Sequence, residues 1–388
     1  MLPKSKWLAL IGAAYVFSMV CWAVIGLSQA PQIVQLQTEP PLAQVTPLEA
    51  EATKYLGSGH YQSPVQLKFQ ARDMAGAPLL DARYHLQILT PKPTPWFTTD
   101  FPIVEGTKLM DIEGNAPSGE FQIQQLFPIR GTYQLQVNIA PVVANAFAPI
   151  AQTLTLTIPE NPLKFRYFPF ILVALLTIGF VGGWIIGGRQ ALRAGEIAPR
   201  RVRLLLNGVT ILAIAALLCF DVAAEAQAGM AMAETGTADH SSTVQSQGLK
   251  LALTGDKSTA VGQMAGFQAT LTDSQTNQPV SDAVFAIKST QLENNWIAFA
   301  HQGIPDAKGT LAWQEQFFDG APHKIEVQVS PQPSGRQFQA FQASREIAVE
   351  GIAPPLSVRL IGLLYFTGVL TVGLLAGLWL QRRRIQMT

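Results

Sequence analysis

Four stretches of this chain are too apolar to be left in water, and they constrain the fold more than any other feature. They are Trp7–Leu27, Tyr167–Gly187, Leu204–Ala224 and Val358–Leu380. Each is about the 20 residues that cross a hydrocarbon core of roughly 30 Å as a helix. A core helix of a soluble domain keeps a polar face at this length, and these runs do not. Only 14% of the 388 residues are charged, and the mean hydropathy of +0.21 owes its excess to these runs. The composition therefore reads as that of a multi-pass membrane protein.

Basic residues set the orientation. Lys4 and Lys6 precede the first run, and Arg382, Arg383 and Arg384 follow the fourth. Arg189, Arg193, Arg200, Arg201 and Arg203 fill the short loop between the second and third. With four crossings all these segments fall on one side, which the positive-inside rule makes the cytoplasm. Lys164, Arg166 and Arg359 sit at helix ends on the other side, where they can snorkel to headgroups. The expected layout is helix 1–27, outer segment 28–166, helix 167–187, basic loop 188–203, helix 204–224, outer segment 225–357, helix 358–380 and tail 381–388. Both termini are then cytoplasmic, in a cell inner or plasma membrane. Ser28-Gln29-Ala30 and Ala224–Ala228 resemble signal-peptidase sites. An uncleaved helix is the plainer reading of each, and cleavage would leave the topology of the downstream segments unchanged.

The two outer segments look like copies. Val65–Ala71 precedes Asp73 and then Pro78-Leu79-Leu80-Asp81-Ala82, while 267–272 precedes Asp273 and then Pro279-Val280-Ser281-Asp282-Ala283. Phe127–Val137 pairs with Phe317–Val327, which puts His323 at the place of Tyr133. Apolar residues alternate within each: Tyr133, Leu135 and Val137 share one strand face, Gln134 and Gln136 the other. Short alternating runs spaced by Gly, Pro, Asn and Asp turns are the pattern of an antiparallel sandwich. The expected fold is thus α plus all-β: four transmembrane helices and two extracytoplasmic immunoglobulin-like β-sandwich domains, arranged as an internal repeat. Cys21 and Cys219 both lie in apolar runs, so the sandwiches fold without disulfides.

The order Asp, turn, Pro-Leu-Leu-Asp-Ala, alternating strand, Gly-Thr-Tyr-Gln-Leu-Gln-Val and terminal membrane helix resembles the FixH and YtkA-like group of membrane-anchored bacterial proteins. That resemblance covers about a third of the chain. It implies an envelope location, a small extracytoplasmic sandwich and a non-enzymatic role linked to respiratory oxidases or metals. The doubled layout departs from the single-domain pattern of that group, and no functional residue carries over.

Candidate chemistry is sparse. Met230, Met232 and His240, just beyond the third run, offer thioether and imidazole ligands suited to copper. The plainer reading of 229–242 is a solvated Ala/Gly/Ser/Thr linker. His301 and His323 would form a second metal pair if the sheet brought their strands together; a buried strand residue is the simpler role for His323. His60 and His85 stand isolated. No nucleophile elbow, zinc-helix or phosphate-loop motif occurs. Asp221, near the outer end of the third run, is the sole acidic residue in the four runs, so ion transport by this chain alone is not expected. A net charge of +1 gives no attraction to nucleic acid. Gly179, Gly183 and Gly187 form two G-x-x-x-G steps, and Gly373 with Gly377 a third, a spacing that lets helices pack closely within the chain or in a homo- or hetero-oligomer.

These features lead to an expected role as a non-catalytic, membrane-anchored accessory or scaffold protein whose partners are the lipid bilayer and another membrane or periplasmic protein. A periplasmic copper-handling protein and an accessory subunit of a transporter are the alternatives.

Overall fold

The computed structural model describes residues 34–45, 64–93 except 74, 101–160, 162–188, 199–204, 207, 208, 211, 242–333 and 335–387. The first apolar run and most of the third lie outside the described residues. The second and fourth form helices, α1 (Pro162–Gly187) and α2 (Leu356–Met387). Both are long and apolar enough to cross a membrane.

The first half supplies strands β1 (Val34–Glu39), β2 (Val65–Ala71), β3 (Ala82–Leu89), β4 (Lys108–Ala116), β5 (Glu120–Gln125), β6 (Gly131–Pro141) and β7 (Ile150–Ile158). After α1 come β8 (Ser242–Ser246), β9 (Leu249–Gly255), β10 (Ser258–Ala260), β11 (Met264–Asp273), β12 (Ala283–Gln291), β13 (Trp296–Gly303), β14 (Thr310–Gln316), β15 (His323–Pro331) and β16 (Phe341–Glu350). Alternation makes them strands. In β2, Val65, Leu67, Phe69 and Ala71 are buried while Gln66, Lys68 and Gln70 are not. Asp73 Oδ1 accepts from the Ala75 and Ala77 amides at 2.9 and 2.8 Å. Asp273 Oδ1 accepts from Gln275 and Thr276 at 3.0 and 3.1 Å. The shared Asp-turn-Pro pattern is therefore a side-chain-capped turn in both halves.

Each half is built on three strands packed against four in an immunoglobulin-like manner, β1-β2-β5 on β7-β6-β3-β4 and β9-β11-β14 on β13-β12-β15-β16, and the second half adds β8 beside β9 and β10 beside β16. Tyr133 forms the corner typical of such sandwiches, its hydroxyl donating to the Ile129 carbonyl at 2.7 Å and accepting from the Ile129 amide at 3.1 Å. The halves do not stand as separate sandwiches. β5 pairs with β13 and β4 with β14, so both sheets run unbroken through the two halves, eight strands each. Apart from the added edge strands β8 and β10, the strand order reads the same from either half. A bulge breaks β3 at Ile88/Leu89, and another breaks β12 at Ser289/Thr290, the matching place. One continuous core fills the space between the sheets, with Phe69, Tyr84, Phe127, Phe285, Phe299 and Phe317 among its largest members.

The helices leave the same body and pack along each other. Gly179 abuts Leu370 and Leu374, Gly183 abuts Leu374 and Leu378, and Gly187 abuts Gln381, so residue numbers rise together and the pair is parallel. From the other side Gly373 meets Leu176 and Phe180, and Gly377 meets Phe180 and Trp184. At Gly179, Gly183, Gly373 and Gly377 an added Cβ would overlap a backbone carbonyl oxygen of the partner helix. Gly368 has open space instead.

This contrast yields a direct expectation. Gly183→Leu must push the helices apart and should cost about 1–3 kcal/mol, the usual penalty for overpacking. Gly368→Ala should stay within about 0.5 kcal/mol of the parent. Denaturation midpoints of the full chain in one detergent compare the three, and equal midpoints would mean the glycine contact contributes nothing.

Candidate functional site at the junction of the two halves

The junction is where the sequence concentrates buried polar groups. Three residue pairs join β4 to β14, Met110↔Glu315, Asp111↔Gln314 and Ile112↔Trp313. Three more join β5 to β13, Gln125↔Phe299, Gln124↔Ala300 and Ile123↔His301. Side chains reinforce these short ladders. Gln316 Nε2 donates to Thr107 Oγ1 at 2.9 Å and to the Gly262 carbonyl at 2.7 Å. Asn115 Nδ2 donates to the Pro305 carbonyl at 3.3 Å, and the Phe101 and Phe318 rings meet edge-on at 5.5 Å.

His301 is buried in this junction. Its Nδ1–H donates to the Gln122 carbonyl of the other half at 2.8 Å, its ring lies 4.8 Å from that of Phe121, and Nε2 has no partner. Gly303 and Gly114 flank the ring; a Cβ at Gly303 would overlap Nε2. Loss of solvation outweighs the Gln122 bond and lowers the imidazole pKa to about 4. His323 performs the corner task of Tyr133 with a different group. Its Nδ1–H donates to the Ala321 carbonyl at 2.8 Å, the ring sits 4.4 Å from Phe317, and burial lowers its pKa to about 4.

The structure does not bring these two histidines together. β12 separates their strands, with His301 opposite Ile287 and His323 opposite Gln291. That offset puts their backbones roughly 16 Å apart at ordinary strand spacings. Among the described residues, no three His, Cys, Asp or Glu side chains are grouped to hold a metal. Met230, Met232, His240 and His60 lie outside the described residues, as does Asp221. Gly179, Gly183, Gly187, Gly373 and Gly377 form the helix contact given above.

One feature, Glu315, has no counterpart among the sequence expectations, and a second gathers partners around His85, which the sequence left isolated. Glu315 points inward with 1% of its surface exposed, and burial raises its pKa to about 8 against the effect of the Ser289 hydroxyl. Its parity was the available signal: Leu311, Trp313 and Phe317 are the apolar residues of its register. On the outer face, His85 Nε2 lies 2.8 Å from Asp111 Oδ1, while Lys108 Nζ and Gln87 Nε2 lie 2.6 and 2.8 Å from Oδ2. Partial burial would raise the Asp111 pKa, but the bonds from Lys108 and His85 prevail and lower it. His85 and Asp111 of this cluster line a shallow concavity of about 450 Å³ that continues over Glu113, Gln268 and Gln314 of both halves. The opposite sheet carries a concavity of about 300 Å³ at the other seam, over Glu120, Gln122 and Gln302.

The buried histidines make stability depend on acidity. Their folded pKa of about 4 lies below the ordinary 6.5, so the unfolded chain binds more protons between those values. Their contribution is full above pH 6.5 and lost as pH falls through 4, at up to about 1.4 kcal/mol per pH unit for each group. His323→Tyr should restore the hydroxyl corner and remove the share of this acid slope that His323 contributes, up to about 1.4 kcal/mol per pH unit. Thermal unfolding of the full chain from pH 7 to 4 measures it; an unchanged slope would mean that His323 contributes none of it.

No family model matches the chain, and no curated protein does. Among solved structures it is similar to copper-bound FetP of uropathogenic Escherichia coli, at 11% identity and a TM-score of 0.21, over 29% of this chain and 93% of that one. It is also similar to the Yersinia pseudotuberculosis adhesin InvE, at 9% identity and a TM-score of 0.20, over 82% of this chain and 59% of that one. Invasin, a bacterial integrin-binding protein, matches at 9% identity and a TM-score of 0.20, over 83% of this chain and 40% of that one. The chain thus spans less than two thirds of either adhesin.

Proposed function

We propose that this chain is a multi-pass, membrane-anchored accessory protein without catalytic activity, whose extracytoplasmic β body binds another envelope protein and helps assemble a complex around it. The observation that carries the reading is the parallel helix pair fixed to a single β body. Pro162 follows Ile158 within four residues, and Leu356 follows Glu350 within six. Both helices therefore begin at the body and run away from it in one direction.

Parallel spans impose a condition on the chain between them. If α1 crosses the bilayer, the chain must return before β8 opens at Ser242, because β8 pairs with β9 of the same body. The apolar run Leu204–Ala224 lies in that interval and is long enough to make the crossing. The far ends of α1 and α2 then share a side with Arg189–Arg203 and Arg382–Arg384, the cytoplasm by the positive-inside rule. At that end Arg383 lies 4.1 Å over the Trp379 ring, an interfacial pairing of aromatic and cation. Trp7–Leu27 completes a helix–sandwich–helix unit taken twice. The matched bulges, the matched Asp turns and the reciprocal glycine contacts support reading the halves as repeats. A body tied to the bilayer by packed helices, with concavities over both seams, is suited to holding a partner in place.

Two measurements test this. Asn145→Cys in the body should react with an impermeant thiol reagent in cells whose outer envelope is opened, in a background lacking Cys21 and Cys219. Glu196→Cys in the basic loop should react only after lysis. The reverse pattern would invert the topology. In mild detergent the intact chain should co-purify with a stoichiometric membrane or envelope protein, and a chain that always purifies alone as a monomer would remove the scaffold role.

A further inference from the structure

The halves match closely at the junction until its centre, where one holds an amide and the other an acid. Gln125 opposes Phe299 in one seam as Glu315 opposes Met110 in the other, so the two occupy corresponding places. Both point into the core with 1% of their surface exposed. Gln125 meets the surrounding acceptors with a neutral donor, its Nε2 giving hydrogen bonds to the Leu126 and Ala298 carbonyls at 3.0 and 3.3 Å. A carboxylate has no proton to give. Ser289 is the nearest hydroxyl to the Glu315 carboxyl, yet neither its Oγ nor Glu315 Oε2 has a hydrogen-bond partner.

Among the described residues, no cation faces it. On β4 the inward neighbour is Met110, while Lys108 and Asp111 pair with each other on the outer face. From β11 comes Ala265. On β12, Ser289 points in, and Lys288 reaches Glu326 outside. β5 contributes Gln125, and β13 contributes Phe299 with His301 two residues on, which burial keeps neutral. The concentration of uncompensated polarity is itself unusual, since an ionised carboxylate buried without a counter-charge is far less favourable than its protonated form.

We propose that Glu315 carries a proton while the junction is closed, and that loss of this proton to solvent base releases β14 from β4, making the contact between the halves proton-controlled. The carboxylate left behind gains hydration only if β14 moves, and a ladder of only three residue pairs joins it to β4. The folded pKa of about 8 stands above the ordinary 4.5, so the closed state binds the proton more tightly than an open one. The resulting stabilisation is full below pH 4.5, declines as pH rises and is gone above 8. Its direction is opposite to that of His301 and His323.

Amide exchange of the full chain in detergent tests the idea. Exchange at residues 109–113 and 313–316 is compared between the native chain and Glu315→Gln at equal pH, which cancels the base catalysis of exchange. The native-to-variant ratio should rise about tenfold between pH 6.5 and 8 and level off above. Residues 122–125 and 299–301, at the amide-bearing seam, should show no such rise. A flat ratio overturns the proposal, and so does an equal alkaline rise at both seams. Should Glu315→Gln fail to fold, the comparison of the two seams within the native chain decides between the same outcomes.

Discussion

A three-on-four sandwich closed on itself would leave β4 and β5 as neighbouring open edges, joined by a tight turn and lined with unpaired amides and carbonyls. Such edges invite association. Here the same pair of edges in each half meets its counterpart, β4 with β14 and β5 with β13, so four edges are satisfied in one reciprocal contact. The arrangement is that of a two-fold dimer interface, one patch used twice, built within a single chain. Both eight-stranded sheets and the continuity of the core between them depend on it.

That contact also sets what the helices can do. Because the halves exchange places about the seam, their last strands, β7 and β16, leave the body alike, and the helices that follow run side by side in parallel. Parallel helices drawn together by a shared anchor need small residues where they meet, and Gly179, Gly183, Gly373 and Gly377 occupy those places. The reciprocity seen in the strands recurs here. Gly179 meets Leu370 and Leu374, as Gly373 meets Leu176 and Phe180. Helix packing and sheet pairing therefore impose the same geometry on the two halves, and a change in one is felt by the other.

Much of this could be read in the chain, for identifiable reasons. Strands with one buried face advertise themselves by alternation, as Tyr133, Leu135 and Val137 do, and the Asp73 and Asp273 turns by their spacing to proline. The glycine series was visible because its period is helical. Continuity of the sheets through both halves was not visible. Alternation says which face of β4 is buried, yet says nothing of which strand lies beside it, and a three-residue ladder leaves no pattern of its own. His323 illustrates a smaller gap. Its alignment with Tyr133 was legible, but that an imidazole would take over a hydroxyl's corner bond to the backbone depends on the Ala321 carbonyl lying 2.8 Å from Nδ1.

The two halves divide their chemistry unevenly. Where the first half places Ile88, Ile112, Tyr133 and Gln125, the second places Ser289, His301, His323 and Glu315. All four residues of the second set are buried, and burial of polar groups with incomplete partners opposes folding. Their cost is carried by a core that both halves share, so the apolar first half offsets the polar second. Histidines held neutral favour the fold above pH 6.5, and a carboxyl held protonated favours it below 8. The interval between is where the three groups are most nearly compatible with one closed junction, and that compatibility is a property of the pairing rather than of either half alone.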